Sequence, residues 1–418
     1  MSNIVRFGLN RFACFSVALL ALVAFETAGR VNGAAGPVDG SSDSYRVLAP
    51  IESGSLLLFP VVRTAKTPGS TPFLTLDEGI KSGQVEVTEA GKVRGLVRPR
   101  SGPPTPHDGI IRPDLEPQPF YRSGDQVNTL VLVNNSDRPL LLLAGEIVTG
   151  GKQDRVIAKD RIVPPGSDPI DLGVFCIEPG RWTEDSPTFG ASAKTPVGGF
   201  MVQPTVREKA MVAKNQQQVW DSVHGTIAQM QIAASPTAPT SLMPSGGPQP
   251  NMNSGAGTTS YARAMQDSKV SAKVDEAAAP VMKSREQLLA QLRQEHAVGV
   301  VVAVRGEIVW ADLFAGPDLL ARYWTKLVRS YAAESLLDGD RHTAPTIADA
   351  QHFLDAPATG RETSEGAVGI YRYRELRSGA TETFVLESLL PGTGYDVHIS
   401  KLKLRGVMRH ITSPQIYR

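Results

Sequence analysis

The sequence predicts an α+β fold, and three observations carry that expectation. Short apolar runs bounded by turn residues recur through the first half of the chain, as antiparallel strands require. Apolar residues at helical spacing then dominate the middle, above all over residues 317–337. Alternating strand patterns return beyond Gly366. Together they predict antiparallel sheet or sandwich elements with helices packed on them.

The chain opens as an export signal. Arg6 and Arg11 form a basic start, residues 12–25 an apolar run, and Gly29, Gly33, Ala34 and Ala35 a small-residue stretch fit for cleavage near residues 33–36. The run is shorter than the ~20 residues of a spanning helix. The expected product is an exported chain, periplasmic or extracellular, with a retained N-terminal anchor as the alternative. No later run is long enough to span a membrane. After cleavage of residues 1–35 only Cys176 remains, which excludes an internal disulfide and leaves stability to the core. A net charge of +1 argues against a nucleic-acid or polyanion binder.

Residues 36–54 read as a polar leader. Residues 56–62 form a continuous apolar strand, and residues 75–83 a short helix with a capping box of Thr75 and Glu78, stopped at Gly83. Strands are expected at 84–89, 127–134, 140–148, 154–158, 162–163 and 170–177. Turn chemistry separates them at Asn135–Pro139, Gly150-Gly151, Pro164-Pro165-Gly166 and Pro179-Gly180. Residues 95–124, rich in Pro, Gly and Arg, read as a loop.

Residues 206–233 read as one helix, and a low-complexity insertion follows at 235–260. Helices are then expected at 261–278 and 282–295, and a hairpin at 298–314 turning on Arg305-Gly306. Helix 317–337 starts at Pro317 and presents Leu320, Tyr323, Trp324, Leu327, Val328 and Tyr331 on one face. A short helix at 347–354 precedes strands at 368–373, 381–386, 395–404 and 407–412. Residues 356–418 form a β-rich extension whose strands either join the sheet or make a small appendage.

Several runs resemble a known family: Leu74–Gly79, Asn134–Leu140, Ala144-Gly145-Glu146, and Gly150–Arg155 followed by Asp160 and Val163–Gly166. The resemblance continues at Val174–Glu178, Gly180-Arg181-Trp182, Gly299–Ala303, Ala311–Phe314 and Leu327–Ala332. These runs, in order over residues 55–355, are similar to the ARG and rhodanese-phosphatase-superfamily associated protein domain. The family is named for neighbouring genes, those of ADP-ribosylglycohydrolases and rhodanese-type phosphatases. The resemblance implies a link to ADP-ribose or related nucleotide chemistry without assigning the domain an activity.

The densest polar stretch, residues 140–182, holds the candidate site. Gly150-Gly151-Lys152-Gln153 is no phosphate loop: the first required glycine falls at Glu146, and Gln153 replaces the magnesium-binding Ser or Thr. Backbone N–H groups of Gly150 and Gly151, with Lys152 and Arg155, can still form an anion site; a solvated bulge is the alternative. Glu178, Arg181 and Trp182 after a turn suggest a bidentate arginine beside a stacking ring, or simply a closed strand end. Glu146 follows an apolar run and needs a partner, for which Arg155 and Arg181 are the candidates. Glu146, Glu178 and Asp312 are the candidate carboxylates for acid or base chemistry. Asp312 is also readable as an inward-facing structural acid, and Cys176 as a small hydrophobe.

The seven histidines form no H-E-x-x-H, and there is no G-x-S-x-G, so zinc and serine-hydrolase chemistry are not expected and no metal is assigned. No cofactor is identified. Three functions remain open: a binding module for an anionic, nucleotide- or ADP-ribose-derived small molecule; a non-catalytic envelope scaffold or interaction domain; and a carboxylate-dependent hydrolase.

Overall fold

Two long apolar strands sit at the centre of the molecule, and their sequences show why. Strand β3 (Leu56–Arg63) and strand β13 (Ala297–Val304) are buried almost end to end. Each is covered on both faces, so each reads as a continuous apolar run rather than an alternating one. The computed structural model describes residues 45–65, 73–92, 127–181, 186, 188–190, 199–235, 258–282, 285–391 and 393–404. The export signal, residues 36–44 of the leader, the 95–124 loop, most of the 235–260 insertion, Trp182 and the strand at 407–412 lie outside the described residues. The rest of the leader forms two short strands, Tyr45–Val47 and Ile51–Ser53, instead of a polar lead-in.

Around those strands runs a nine-stranded sheet. Its order is β1 (Tyr45–Val47), β3, β13, β14 (Glu307–Phe314), β18 (Asp396–Lys403), β17 (Thr381–Ser388), β16 (Tyr371–Ser378) and β15 (Arg361–Ala367), with β2 (Ile51–Ser53) also paired to β3. The strands beyond residue 356 thus add to the main sheet through the β14–β18 pairing. Pro60 is tolerated inside β3 because it falls opposite the break between β1 and β2, where no ladder donor is required. Arg305 and Gly306, at φ 54° and 84°, make the tight β13–β14 turn.

One face of this sheet carries Leu56, Leu58, Val300, Val302, Trp310 and Phe314 into the main core, against α5 (Ser268–Met282) and α7 (Pro317–Ser335). The predicted stripe of α7 is that contact, and all six of its residues are buried. Burial of side chains this size stabilises by about 1.5–3 kcal/mol each. The opposite face, with Leu57, Phe59, Val61, Val301 and Leu313, packs under α8 (Ile347–Asp355).

The remaining strands form a smaller sandwich. A six-stranded sheet runs β12 (Phe189–Gly190), β8 (Ile147–Gly150), β9 (Arg155–Ile157), β11 (Ile170–Cys176), β6 (Thr129–Asn134), β5 (Val85–Glu89). A three-stranded sheet runs β10 (Arg161–Val163), β7 (Leu140–Leu142), β4 (Leu74–Thr75), with β4 and β7 parallel. Val87, Leu132, Leu172 and Val174 of the first meet Leu74, Leu140, Leu142 and Val163 of the second in one core. Leu141, Leu143, Ile147, Val156 and Ile162 point the other way, into the main core. Helix α1 (Leu76–Lys81) has the expected capping box of Thr75 and Glu78.

Three predicted elements differ. The 206–233 helix is α2 (Pro204–Glu208), a π-turn (Lys209–Ala213) and α3 (Gln216–Ala234). Lys214 turns left-handed at φ 50°, and Asn215 starts α3 by accepting the Gln218 N–H. The 261–278 helix divides into α4 (Tyr261–Gln266) and α5, because Asp267 leaves helical geometry and accepts the N–H groups of Lys269 and Val270. Residues 368–370 turn between β15 and β16 instead of starting a strand. Helix α6 (Arg285–Gln294) follows the pattern.

Candidate functional site

Glu146, Asp154, Arg155, Asp160, Glu178 and Arg181 enter three separate clusters, while Lys159 pairs with Glu365 at the surface and Arg161 donates to the Asp171 carbonyl. The first gathers at the end of β8. Gly150 and Gly151 take φ 118° and 50°, the left-handed range that glycine allows. A Cβ on Gly151 would lie 2.2 Å from the Phe189 ring. Their exposed-looking donors are engaged: Gly150 N–H donates to Asp154 (3.1 Å), Gly151 N–H to Ser186 (3.3 Å) and Lys152 N–H to Glu89 (3.0 Å).

Around this bend the side chains lock to one another. Gln153 donates to the Glu178 carbonyl. The Asp154 carboxylate also accepts from Ser260 of the α4 cap, at 2.8 Å. Arg155 is fully buried and donates to the carbonyls of Val127 and Gln153, each at 2.8 Å. Arg181 meets Glu178 Oε2 at 2.6 Å and Asp154 Oδ1 at 3.7 Å, and donates to the Gly151 carbonyl. Burial, and then the charge of Glu178, raise the Asp154 pKa. Arg263, more than half exposed, stands 3.9 Å from Glu178 at the rim.

Cys176 lies beneath this corner. Its thiol accepts the Glu178 N–H, and burial pushes its pKa up, which makes it a poor nucleophile near neutral pH. Gln216 completes its backbone pairing, accepting from the Cys176 N–H and donating to its carbonyl.

The second cluster holds Glu146, and its partner is neither Arg155 nor Arg181. Lys326, set among the apolar residues of α7, reaches Glu146 and Asp77 at 2.6 Å each. The other Glu146 oxygen accepts the Leu143 N–H at 2.8 Å. Burial raises the Glu146 pKa despite Lys326. Burial would lower that of Lys326, but Asp77 and Glu146 outweigh it and raise it.

The third cluster is fully buried between the sandwich and the large sheet. Asp160 accepts the Ala144 N–H with one oxygen and meets His398 Nδ1 at 2.6 Å with the other. His398 Nε2 stands 3.2 Å from Asp312. Asp312 also takes Arg207 at 2.9 Å, Ser400 at 2.8 Å and the Tyr331 hydroxyl. The Arg207 guanidinium lies 4.6 Å over the Trp310 ring. Burial opposes charge on His398, yet the carboxylates of Asp160 and Asp312 push its pKa up to about 9. Burial likewise opposes charge on Asp312, and Arg207 with His398 holds it well below the usual carboxylate range.

The structure therefore brings Gly150, Gly151, Gln153, Arg155, Glu178 and Arg181 together, with Lys152 in the same bend. Glu146 and Asp312 stand in other clusters, and the three candidate carboxylates share no partner. Sequence reasoning missed Asp77, Arg207, Lys326 and His398 as partners. The available signal was a charged residue inside an apolar periodic face, as with Lys326 between Trp324 and Leu327. Among the described residues no group of three or more His, Cys, Asp or Glu is placed to hold a metal. No helix among them is long and apolar enough to cross a membrane.

Searches of curated proteins and of solved structures gave no match. A family model matches residues 44–402, from just before β1 into β18, and so spans both the sandwich and the large sheet. The chain belongs to the family of the ARG and Rhodanese-Phosphatase-superfamily-associated Protein domain.

Proposed function

We propose that this chain is an exported, non-catalytic domain that acts through protein contacts. The observation that carries the reading is the internal use of the polar groups of residues 145–181. The N–H groups of Gly150, Gly151 and Lys152 already serve Asp154, Ser186 and Glu89. Glu146, Asp160 and Glu178 are bound to Lys326, His398 and Arg181. A carboxylate-dependent hydrolase needs carboxylates open to one cleft, whereas Glu146, Glu178 and Asp312 are buried and bound to Lys326, Arg181 and Arg207. Export is supported by the basic, apolar, small-residue order of the first 35 residues. The N-terminal mass of the chain recovered from its host tests it: loss of about that segment is expected, and an intact start overturns export.

One observation favours a second reading, a site for an anionic, nucleotide-derived small molecule. Arg181 and Arg263 both turn toward Glu178 at an accessible rim. A phosphate that displaced Glu178 would meet two guanidinium groups. Calorimetric titration of the folded chain with ADP-ribose, nucleotides and sugar phosphates separates the readings. No saturable heat is expected. Saturable binding that Arg181→Ala abolishes would overturn the protein-contact reading and establish the anion site.

A further inference from the structure

The two edges of the nine-stranded sheet are treated differently. At β1, helix α8 supplies a cap: the Gln351 amide accepts the Val47 N–H at 2.8 Å and donates to the Tyr45 carbonyl at 3.2 Å. That side chain replaces a neighbouring strand and blocks further pairing. At the other end, β15 is bonded, among the described residues, to β16 alone. Its register with β16 is unbroken from Arg361 to Ala367, without bulge or proline. All of its residues but Ala367 are exposed, on both faces. A straight edge strand of this length offers N–H and C=O groups at alternate residues to any strand laid beside it.

We propose that β15 is a self-association edge, at which a second copy of this chain pairs antiparallel to make one continuous sheet across two molecules. The proposal deepens the protein-contact reading and rests on it. The sequence Arg361-Glu362-Thr363-Ser364-Glu365 is self-complementary in one register. With the two-fold axis at Thr363, Arg361 faces Glu365 of the second copy, twice, and Thr363 faces its own equivalent. Opposite charges directly across an antiparallel pair attract, and Thr–Thr pairs are favourable. Centring on Glu362 or Glu365 sets like charges opposite each other. Centring on Ser364 puts Arg361 against Ala367 and forms no ion pair.

The faces agree with this register. Thr363 and Glu365 lie across from Glu375 and Tyr373 of β16, so Arg361, Thr363 and Glu365 share one face. Lys159 holds Glu365 Oε1 at 2.6 Å on that face, and Arg361 of the second copy takes the other oxygen. Five residue pairs cover far less than the ~800 Å² per partner of a standard interface. The dimer is therefore weak and concentration-dependent, and its register is set by charge.

Sedimentation velocity of the full processed chain over a wide concentration range tests the proposal, with Arg361→Glu and Glu365→Arg variants whose folds are checked by circular dichroism. Both positions are exposed, so neither variant disturbs the core. The wild type is expected to pass from monomer to dimer. Each variant alone faces like charges and stays monomeric. An equimolar mixture restores two opposite-charge pairs and dimerises. A wild type that stays monomeric, or variants that dimerise as well as it does, overturns the proposal. Neither result bears on the protein-contact reading, which falls only to saturable binding of small anions at Arg181.

Discussion

Replacing His398 by Gln should remove most of the pH dependence of stability between pH 6.5 and 8. His398 is fully buried between Asp160 and Asp312, and its folded pKa is about 9 against 6.5. At about 1.4 kcal/mol per pH unit, that displacement is worth about 3 kcal/mol. Below pH 6.5 folded and unfolded chains both carry the imidazolium, and the stabilisation is complete. Between 6.5 and 9 the folded chain keeps a proton that the unfolded chain has released, so stability falls as pH rises. Lys401 acts oppositely. Its ammonium, buried under α8 and donating to the Leu354 carbonyl, is lowered by burial to about 8 from 10.5. From pH 8 upward it therefore adds stability with rising pH and masks the last part of the histidine effect. The clean window is pH 6.5–8, where about 2 kcal/mol should be lost. Urea unfolding at both ends of that window, in wild type and His398→Gln, gives the measurement. The variant should be less stable by about 3 kcal/mol below pH 6.5, with the gap narrowing by pH 8. Parallel profiles over that window would refute the imidazolium bridge.

Three further outcomes follow from the same geometry. Lys326→Met leaves Glu146 buried without its cation and should cost about 3–5 kcal/mol in urea unfolding; adding Glu146→Leu should recover much of that loss. Thr75→Ala removes the capping box of α1 and should cost about 1 kcal/mol, read as a lower midpoint at unchanged slope. Gly151→Ala forces a Cβ against Phe189 at φ 50° and should cost about 1–3 kcal/mol more than Gly54→Ala, whose φ of 61° is similar but whose Cβ meets open space.

Local physics made much of the fold legible. The Thr75–Glu78 box, the Arg305-Gly306 turn and the α7 stripe each depend on residues of a single element or turn, and each stands where the pattern puts it. Elements governed by a short polar side chain were harder. Asp267 and Asn215 each break a long helical pattern with a cap that no Gly or Pro announces. Strand β15 was missed because a strand exposed on both faces shows no apolar alternation. The clusters were the least legible. Glu146 and Lys326 are 180 residues apart, Asp160 and His398 are 238 apart, and Arg207 and Asp312 are 105 apart. The need for a partner could be read at Glu146, but its identity is set by how the sandwich docks.

That docking gives three of the charged residues of 140–181 their partners. The segment supplies strands to the sandwich, yet its buried polar groups reach outward: Glu146 to α7, Asp154 to the cap of α4, Asp160 to β18. Apolar faces alone tolerate sliding, since burial is nearly the same over many offsets. A buried charge does not, because displacement by even a few ångströms leaves it desolvated and unpaired at a cost of several kcal/mol. Three such contacts, on three different elements, single out one seating of the sandwich against the sheet and helices. Glu146, Asp154 and Asp160 are thus accounted for by the seam, while Glu178 and Arg181 pair with each other. An anion would have to compete with Glu178 for Arg181, and the calorimetric titration measures that competition directly.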